Sequence, residues 1–210
     1  KPATNLLFSN PGKVRQFNWN RGDNASIVEL CARPWPDGSG FWLVEATDVS
    51  PLIKAQAQLT HDLNHEPATG ALRPEAFVRE LAGNLKNCPK PSGAVLCLAG
   101  FSSRGISGSR PVFAGCHTLI AELTRRCRAE IGGTCLIGHR DSTNLYVLLE
   151  SGTSEAERRH ATSQIRRIGL QVISNAGNQA GQIQLMISAA GFPVHGSNAD
   201  DLIKACELAQ

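Results

Sequence analysis

The 210-residue sequence predicts an α+β protein with mostly antiparallel sheet: a three-stranded meander, a connecting helix, and a larger domain of interleaved strands and helices. Three observations predict this. Before residue 50, three short alternating segments are separated by two strong turn signals. After residue 64, apolar runs of strand length alternate with segments whose apolar residues recur at helical spacing. Hydrophobic content of 41% and charged content of 19% suit a globular chain with real cores.

Composition also excludes several functions. A net charge of +3, with scattered basic residues, does not point to nucleic acid. The doublets Arg125-Arg126, Arg158-Arg159 and Arg166-Arg167 read as solvated helix faces. No apolar run approaches the ~18 residues of a membrane span, and the N-terminus lacks a signal-peptide pattern. No membrane contact is expected of this stretch. The seven cysteines include no Cys-x-x-Cys pair, and Cys31, Cys97 and Cys135 sit inside apolar runs. That usage predicts a reducing, cytoplasmic setting. The start at Lys1 and the end at Gln210 suggest a fragment of a longer protein.

The meander takes Val14 to Trp19, Ala25 to Arg33 and Phe41 to Thr47, with turns at Arg21-Gly22-Asp23-Asn24 and Pro36-Asp37-Gly38-Ser39-Gly40. A tight turn accounts for Arg21-Gly22-Asp23 without any adhesive role. Three strands bury one face only, so the meander needs a partner surface. Ser50 is placed to cap a helix with Pro51 at its first position. Leu52, Gln56, Leu59 and Leu63 follow at helical spacing. This narrow stripe suits either a short coiled coil or a single helix on its own domain.

In the larger domain, Thr69-Gly70 reads as a turn and Pro74 to Leu85 as a helix with Phe77, Leu81 and Leu85 on one face. Ala94 to Ala99 has the continuous apolar content of a buried central strand. A Gly/Ser-rich loop follows, then a helix from Val112 to Ile131 carrying Leu119, Leu123 and Cys127, ended by Gly132-Gly133. Leu136 to Glu150 reads as a hairpin: two apolar arms around a tip, Arg140 to Asn144, rich in turn formers. A helix from Glu155 to Ile173 and a strand from Gln182 to Ala190 come next. The last helix, Asn198 to Leu208, has Asn198 as its cap.

The residues at the joints carry two resemblances. Asp48-Val49-Ser50, after the third strand, is similar to the Asp-Ile-Thr that closes a PAS domain, so residues 1–49 resemble the C-terminal part of one. The ligand-binding half is missing, and no sensory ligand is implied. His65-Glu66-Pro67-Ala68-Thr69-Gly70, with Phe77, resembles the opening of GGDEF (diguanylate cyclase) domains, although Arg73 and Pro74 depart from its Asn-Arg pair. Asp141-Ser142-Thr143-Asn144-Leu145 stand in the five places of the Gly-Gly-Asp-Glu-Phe signature. Gly191-Phe192-Pro193 with Gly196-Ser197 resembles the family's late Tyr-Pro-x-x-Gly turn. The likeness spans residues 64–210, with residues 50–63 as the connecting helix. It implies a ferredoxin-like, polymerase-palm-type fold.

For chemistry the resemblance implies loss. Active cyclases hold magnesium with the first aspartate of Asp-x-Asp-x-Phe, where this chain has Cys97-Leu98-Ala99-Gly100-Phe101. The metal-site places are therefore Cys97, Thr143 and Asn144, which are a thiol, a hydroxyl and an amide. The two signature glycines are replaced by Asp141 and Ser142. Between Ser102 and Ala121, where the guanine contacts should lie, there is no Asp or Asn. The Arg-x-x-Asp inhibitory site for cyclic di-GMP maps to Gly132 and Cys135. With two residues deleted from the tip Asp141 would reach a metal place, but Leu145 to Leu149 matches the family best without a gap.

The resemblance thus implies no catalytic residue, no metal and no cofactor. The expected function is a non-catalytic regulatory or scaffolding domain of bacterial cyclic di-GMP signalling. It would relay or dimerise between a PAS sensor and a downstream EAL-like domain. The alternative is a GTP-binding regulatory module without turnover, using backbone N–H groups of the Phe101 to Ser109 loop. Residual cyclase activity is the least favoured reading. Self-association is expected through the meander and the helix at 51–63.

Overall fold

A computed structural model describes residues 9–21, 24–88, 93–103, 115–132, 135–151, 154–177 and 183–210. The chain divides into two units, Lys1–His61 and Asp62–Gln210.

In the first unit the alternating segments form a three-stranded antiparallel sheet of β1 (Arg15–Arg21), β2 (Asn24–Pro34) and β3 (Trp42–Asp48). Phe17 pairs with Val28, and Leu30 pairs with both Arg15 and Ala46. The second turn closes through Trp35 N donating to Phe41 O, while Asp37 Oδ1 accepts from Ser39 N at 2.9 Å. Cys31 and Ala32 are buried, but Trp19 (57% exposed), Trp35 (49%) and Phe41 (71%) are not. One small sheet cannot cover that much aromatic surface.

Helix α1 (Ser50–Asn64) has no buried residue. Ser50 does not cap it as expected: the Ser50 hydroxyl accepts from Ile27 N at 2.7 Å, tying the helix start to β2. Asp48 Oδ1 accepts from Ser50 N instead. An acidic side chain two residues earlier does this because it reaches the orphan N–H without leaving the strand end.

The second unit contains α2 (Pro74–Asn87), β4 (Gly93–Ser103), α3 (Cys116–Ile131), β5 (Leu136–His139), β6 (Asn144–Ser151), α4 (Glu155–Ser174), β7 (Ile183–Phe192) and α5 (Ala199–Leu208). The sheet order is β5-β6-β4-β7, with every pair antiparallel. From β4 to β7 the connectivity βαββαβ is ferredoxin-like. Strand β4 is the axis. Its alternation sends Val95, Cys97, Ala99 and Phe101 into a core with α3 and α4, and Ala94, Leu96 and Leu98 into a second core with α2 and α5. Strand β6 alternates likewise: Leu145, Val147 and Leu149 join the first core, Tyr146 and Leu148 the second.

Local signals agree with these elements. Ser154 and Glu157 form a capping box at the start of α4, and Asn198 Oδ1 accepts from Asp201 N at 3.0 Å at the start of α5. Gly132 ends α3 at φ +91°, where a side chain would be strained. Residues 112–114 of the expected α3 lie outside the described residues. No helix among the described residues is long and apolar enough to cross a membrane.

Candidate functional site

The hairpin joining β5 to β6 carries a cluster of polar contacts that reach Thr69, Cys116, Glu207 and Gln210. Its register pairs His139 with Leu145, leaving residues 140–143 as the tip. Asp141 folds back into that tip. Its Oδ1 accepts from Thr143 N, Thr143 Oγ1 and Asn144 Nδ2, each at 2.8 Å, and Asn144 Nδ2 also reaches Oδ2 at 2.9 Å. This is the Asx-turn chemistry of a short acidic side chain, with an extra amide donor. Burial pushes the Asp141 carboxyl up, but the donors from Thr143 and Asn144 and the charge of Arg140 outweigh it and hold the group below the usual carboxylate range.

Asn144 is 1% exposed, at the first position of β6, opposite Gly100 in β4. Its amide faces the end of β4 so closely that Gly100 has no room for a side chain: a Cβ there would lie 2.7 Å from both Asn144 Cγ and Thr143 O. Asn144 Oδ1 accepts from Gln210 Nε2 at 3.3 Å. Beside it Arg140 Nε donates to Glu207 Oε1 at 2.8 Å, and Tyr146 Oη donates to the same oxygen at 2.6 Å. Burial, then the Glu207 carboxylate, pushes the Tyr146 phenol up. The Tyr146 ring stacks on Phe77 of α2 at 5.2 Å. On the other side of the tip His139 Nε2 meets Thr69 Oγ1 at 2.7 Å, and Cys116 Sγ donates to Ser142 O.

The sequence-derived positions are only partly brought together. Asp141, Ser142, Thr143 and Asn144 make one knot, and Leu145 is buried beneath it. Cys97 lies deeper in β4, opposite Val147, in the α3–α4 core, while Asn144 faces Gly100 and the α5 side. Cys97 and Asn144 therefore occupy opposite faces of the sheet. Burial pushes the Cys97 thiol up to about 12. Gly132 and Cys135 meet directly: Cys135 N and Sγ both donate to Gly132 O. Burial also pushes the Cys135 thiol up. Most of the interval between Ser102 and Ala121, namely 104–114, lies outside the described residues.

Sequence reading missed Arg140, Glu207 and Gln210. One signal for them existed. Tyr146 is the chain's single tyrosine, inside an apolar arm, and a buried phenol needs a hydrogen-bond partner.

The ferredoxin-like unit, with this hairpin opposite the end of its central strand, has counterparts among solved structures. A sensory box/GGDEF family protein from Caulobacter crescentus matches with TM-score 0.51 at 15% identity, over 70% of this chain and 94% of that one. The chain carries a GGDEF-type fold. The GGDEF domain of FimX from Pseudomonas aeruginosa matches equally (TM-score 0.51, 15% identity, 70% and 90% covered). So does the GGDEF domain of DgcB from Caulobacter crescentus, solved with c-di-GMP (TM-score 0.54, 10% identity, 70% and 88% covered). No family model matches the chain, and no curated protein matches it in sequence. Among the described residues, no three His, Cys, Asp or Glu side chains are grouped to hold a metal ion.

Proposed function

We propose that this chain is a non-catalytic regulatory piece of a bacterial cyclic di-GMP signalling protein. In this reading residues 64–210 are a degenerate GGDEF domain, residues 1–49 the C-terminal part of a PAS-like domain, and residues 50–63 a relay helix. The domain serves as a scaffold toward an EAL-like output domain in a cytoplasmic protein, and copies associate through the meander and helix 51–63. The exposed Leu52, Leu59 and Leu63 of α1, with the exposed aromatics of the first unit, support that seam.

The observation that carries the reading is Asn144. At the place where a cyclase has the signature glutamate, a neutral amide is buried and committed to Asp141, Thr143 and Gln210. Magnesium favours carboxylate oxygens in near-octahedral geometry. The hydroxyl of Thr143 and the amide of Asn144 supply no charge for it, and Cys97 is a buried thiol on the opposite face of the sheet, so these residues do not fit the ion. Asp141, the one carboxylate at the tip, spends both oxygens on its own turn.

The test is incubation of the chain with GTP and magnesium, with nucleotides separated by chromatography, beside calorimetry with GTP plus magnesium and with cyclic di-GMP. No product above a no-protein blank is expected. Cyclic di-GMP produced in proportion to protein would overturn the proposal.

A further inference from the structure

A second site lies away from the hairpin, between α4 and the edge strand β7. Along the side of β7 that faces α4 the side chains are Ile183, Leu185 and Ile187, all of one size, and then drop to Ala189 and Gly191. Near Leu185 helix and strand pack tightly, because a Cβ on Gly169 of α4 would lie 2.7 Å from Leu185 Cδ2. At the Gly191 end the missing bulk leaves an open cleft of about 560 Å³. Val95, Ile187, Ala189 and Gly191 make its floor apolar. Its size falls within the range of small-molecule sites, roughly 300–1,000 Å³.

The rim is of one chemical kind. Arg158, Arg159, Arg166 and His195 line the cleft, and Glu155 is the one carboxylate among the described lining residues. Glu155 is paired to Arg159 at 2.5 Å on an exposed helix face, a weak commitment in water. Arg158 lays its aliphatic stem across Gly191, where a Cβ would collide with it. The hydroxyls of Thr162 and Ser163 donate to Arg158 O and Arg159 O, one turn back in the helix. Gly191 N donates to His195 Nδ1 at 2.8 Å, so the neutral ring carries its proton on Nε2. The rim therefore presents donors and positive charge over an apolar floor. Guanidinium forks match phosphate oxygens in pairs, and apolar walls favour a flat or aliphatic body.

We propose that this cleft binds a small phosphate-bearing anion with a flat apolar body. The cleft shares no residue with the β5–β6 hairpin, so the binding is independent of what the hairpin does.

Titration calorimetry of the whole chain with three probes tests this. ADP carries both charge and body, inorganic pyrophosphate the charge alone, and adenosine the body alone. ADP is expected to saturate, with pyrophosphate about tenfold weaker, adenosine weaker still, and all phosphate binding reduced by salt. Arg166→Gln, on the exposed face, should weaken ADP about tenfold, the scale of one charge-assisted contact. Ala189→Leu fills the floor and should weaken ADP while sparing pyrophosphate. If Ala189→Leu does not fold, Arg158→Gln serves beside Arg166→Gln. The proposal fails if ADP does not saturate, if neither arginine variant changes its affinity, or if pyrophosphate binds as tightly as ADP.

Discussion

Replacing Gly100 by alanine places a methyl group where the Asn144 amide and the Thr143 carbonyl already stand. The new Cβ would lie 2.7 Å from Thr143 O and from Asn144 Cγ, about 0.7 Å inside the 3.4 Å at which ordinary contact begins. The carbonyl cannot retreat cheaply, because Phe101 N donates to it at 3.2 Å. The amide can leave only by giving up its bonds to Asp141 at 2.8 and 2.9 Å. Overpacking of this kind costs roughly 1–3 kcal/mol. Loss of a hydrogen bond to a charged group costs about 1.5–3 kcal/mol more. Together Gly100→Ala should destabilise the second unit by about 2.5–6 kcal/mol. In urea, with a slope of about 1–3 kcal/mol per molar, the unfolding midpoint should fall by more than about 1 M at unchanged slope. Adding Asn144→Ala should restore part of the loss, because the two changes meet at one contact. A Gly100→Ala midpoint equal to that of the parent would refute the account of the hairpin, and so would strictly additive losses.

Three further outcomes follow from the same geometry. Asp141 folds with its carboxyl held below the ordinary range, so its stabilisation is present above the unfolded-chain value of about 3.9 and is lost as pH falls through the lower folded value. Asp141→Asn should therefore flatten the acid limb of stability followed by circular dichroism below about pH 4, and an unchanged limb would contradict the role given to this carboxylate. Changing Asp141-Ser142-Thr143-Asn144-Leu145 to Gly-Gly-Asp-Glu-Phe should not yield a cyclase, since Cys97 stays a buried thiol and groups that act as a unit are non-additive. Turnover of GTP by that variant would show that the other site positions are misassigned. Light scattering should find the whole chain self-associated and residues 62–210 alone monomeric, with two monomers at high concentration counting against the seam through α1 and the meander.

Strand β6 and helix α2 were legible because burial on both sides, or on one stripe, leaves a pattern in the residues themselves. Leu145 to Leu149 is apolar throughout since each side chain enters one of two cores, and Phe77, Leu81 and Leu85 are buried at helical spacing. The turn formers of the hairpin tip announced a turn, and Asp141 makes one. What Asn144 does was not legible, for it depends on Gly100, 44 positions away, lacking a Cβ. Glu207 serves Arg140 and Tyr146 from the last helix, and no local pattern ties these three together. The arginine doublets divide for a similar reason. Arg125, Arg126, Arg159 and Arg167 do pair with carboxylates on helix surfaces. Arg158 also lays its stem over a strand, because the residue beneath it is Gly191, a fact of the packing between α4 and β7.

The double-faced position of β4 bears on how the unit is made. It is the first strand of its sheet to be synthesised, yet its two edges are closed by β6 and by β7, whose residues pair with it across about ninety positions of chain. Until residue 192 has emerged, Val95 to Ala99 has an open edge and apolar side chains on both sides. Such distant pairing slows folding and leaves the nascent strand prone to pairing with other chains. Once closed, β4 cannot open without dissolving both cores, so its amides should be the last of the unit to exchange with deuterium, at the free energy of global unfolding.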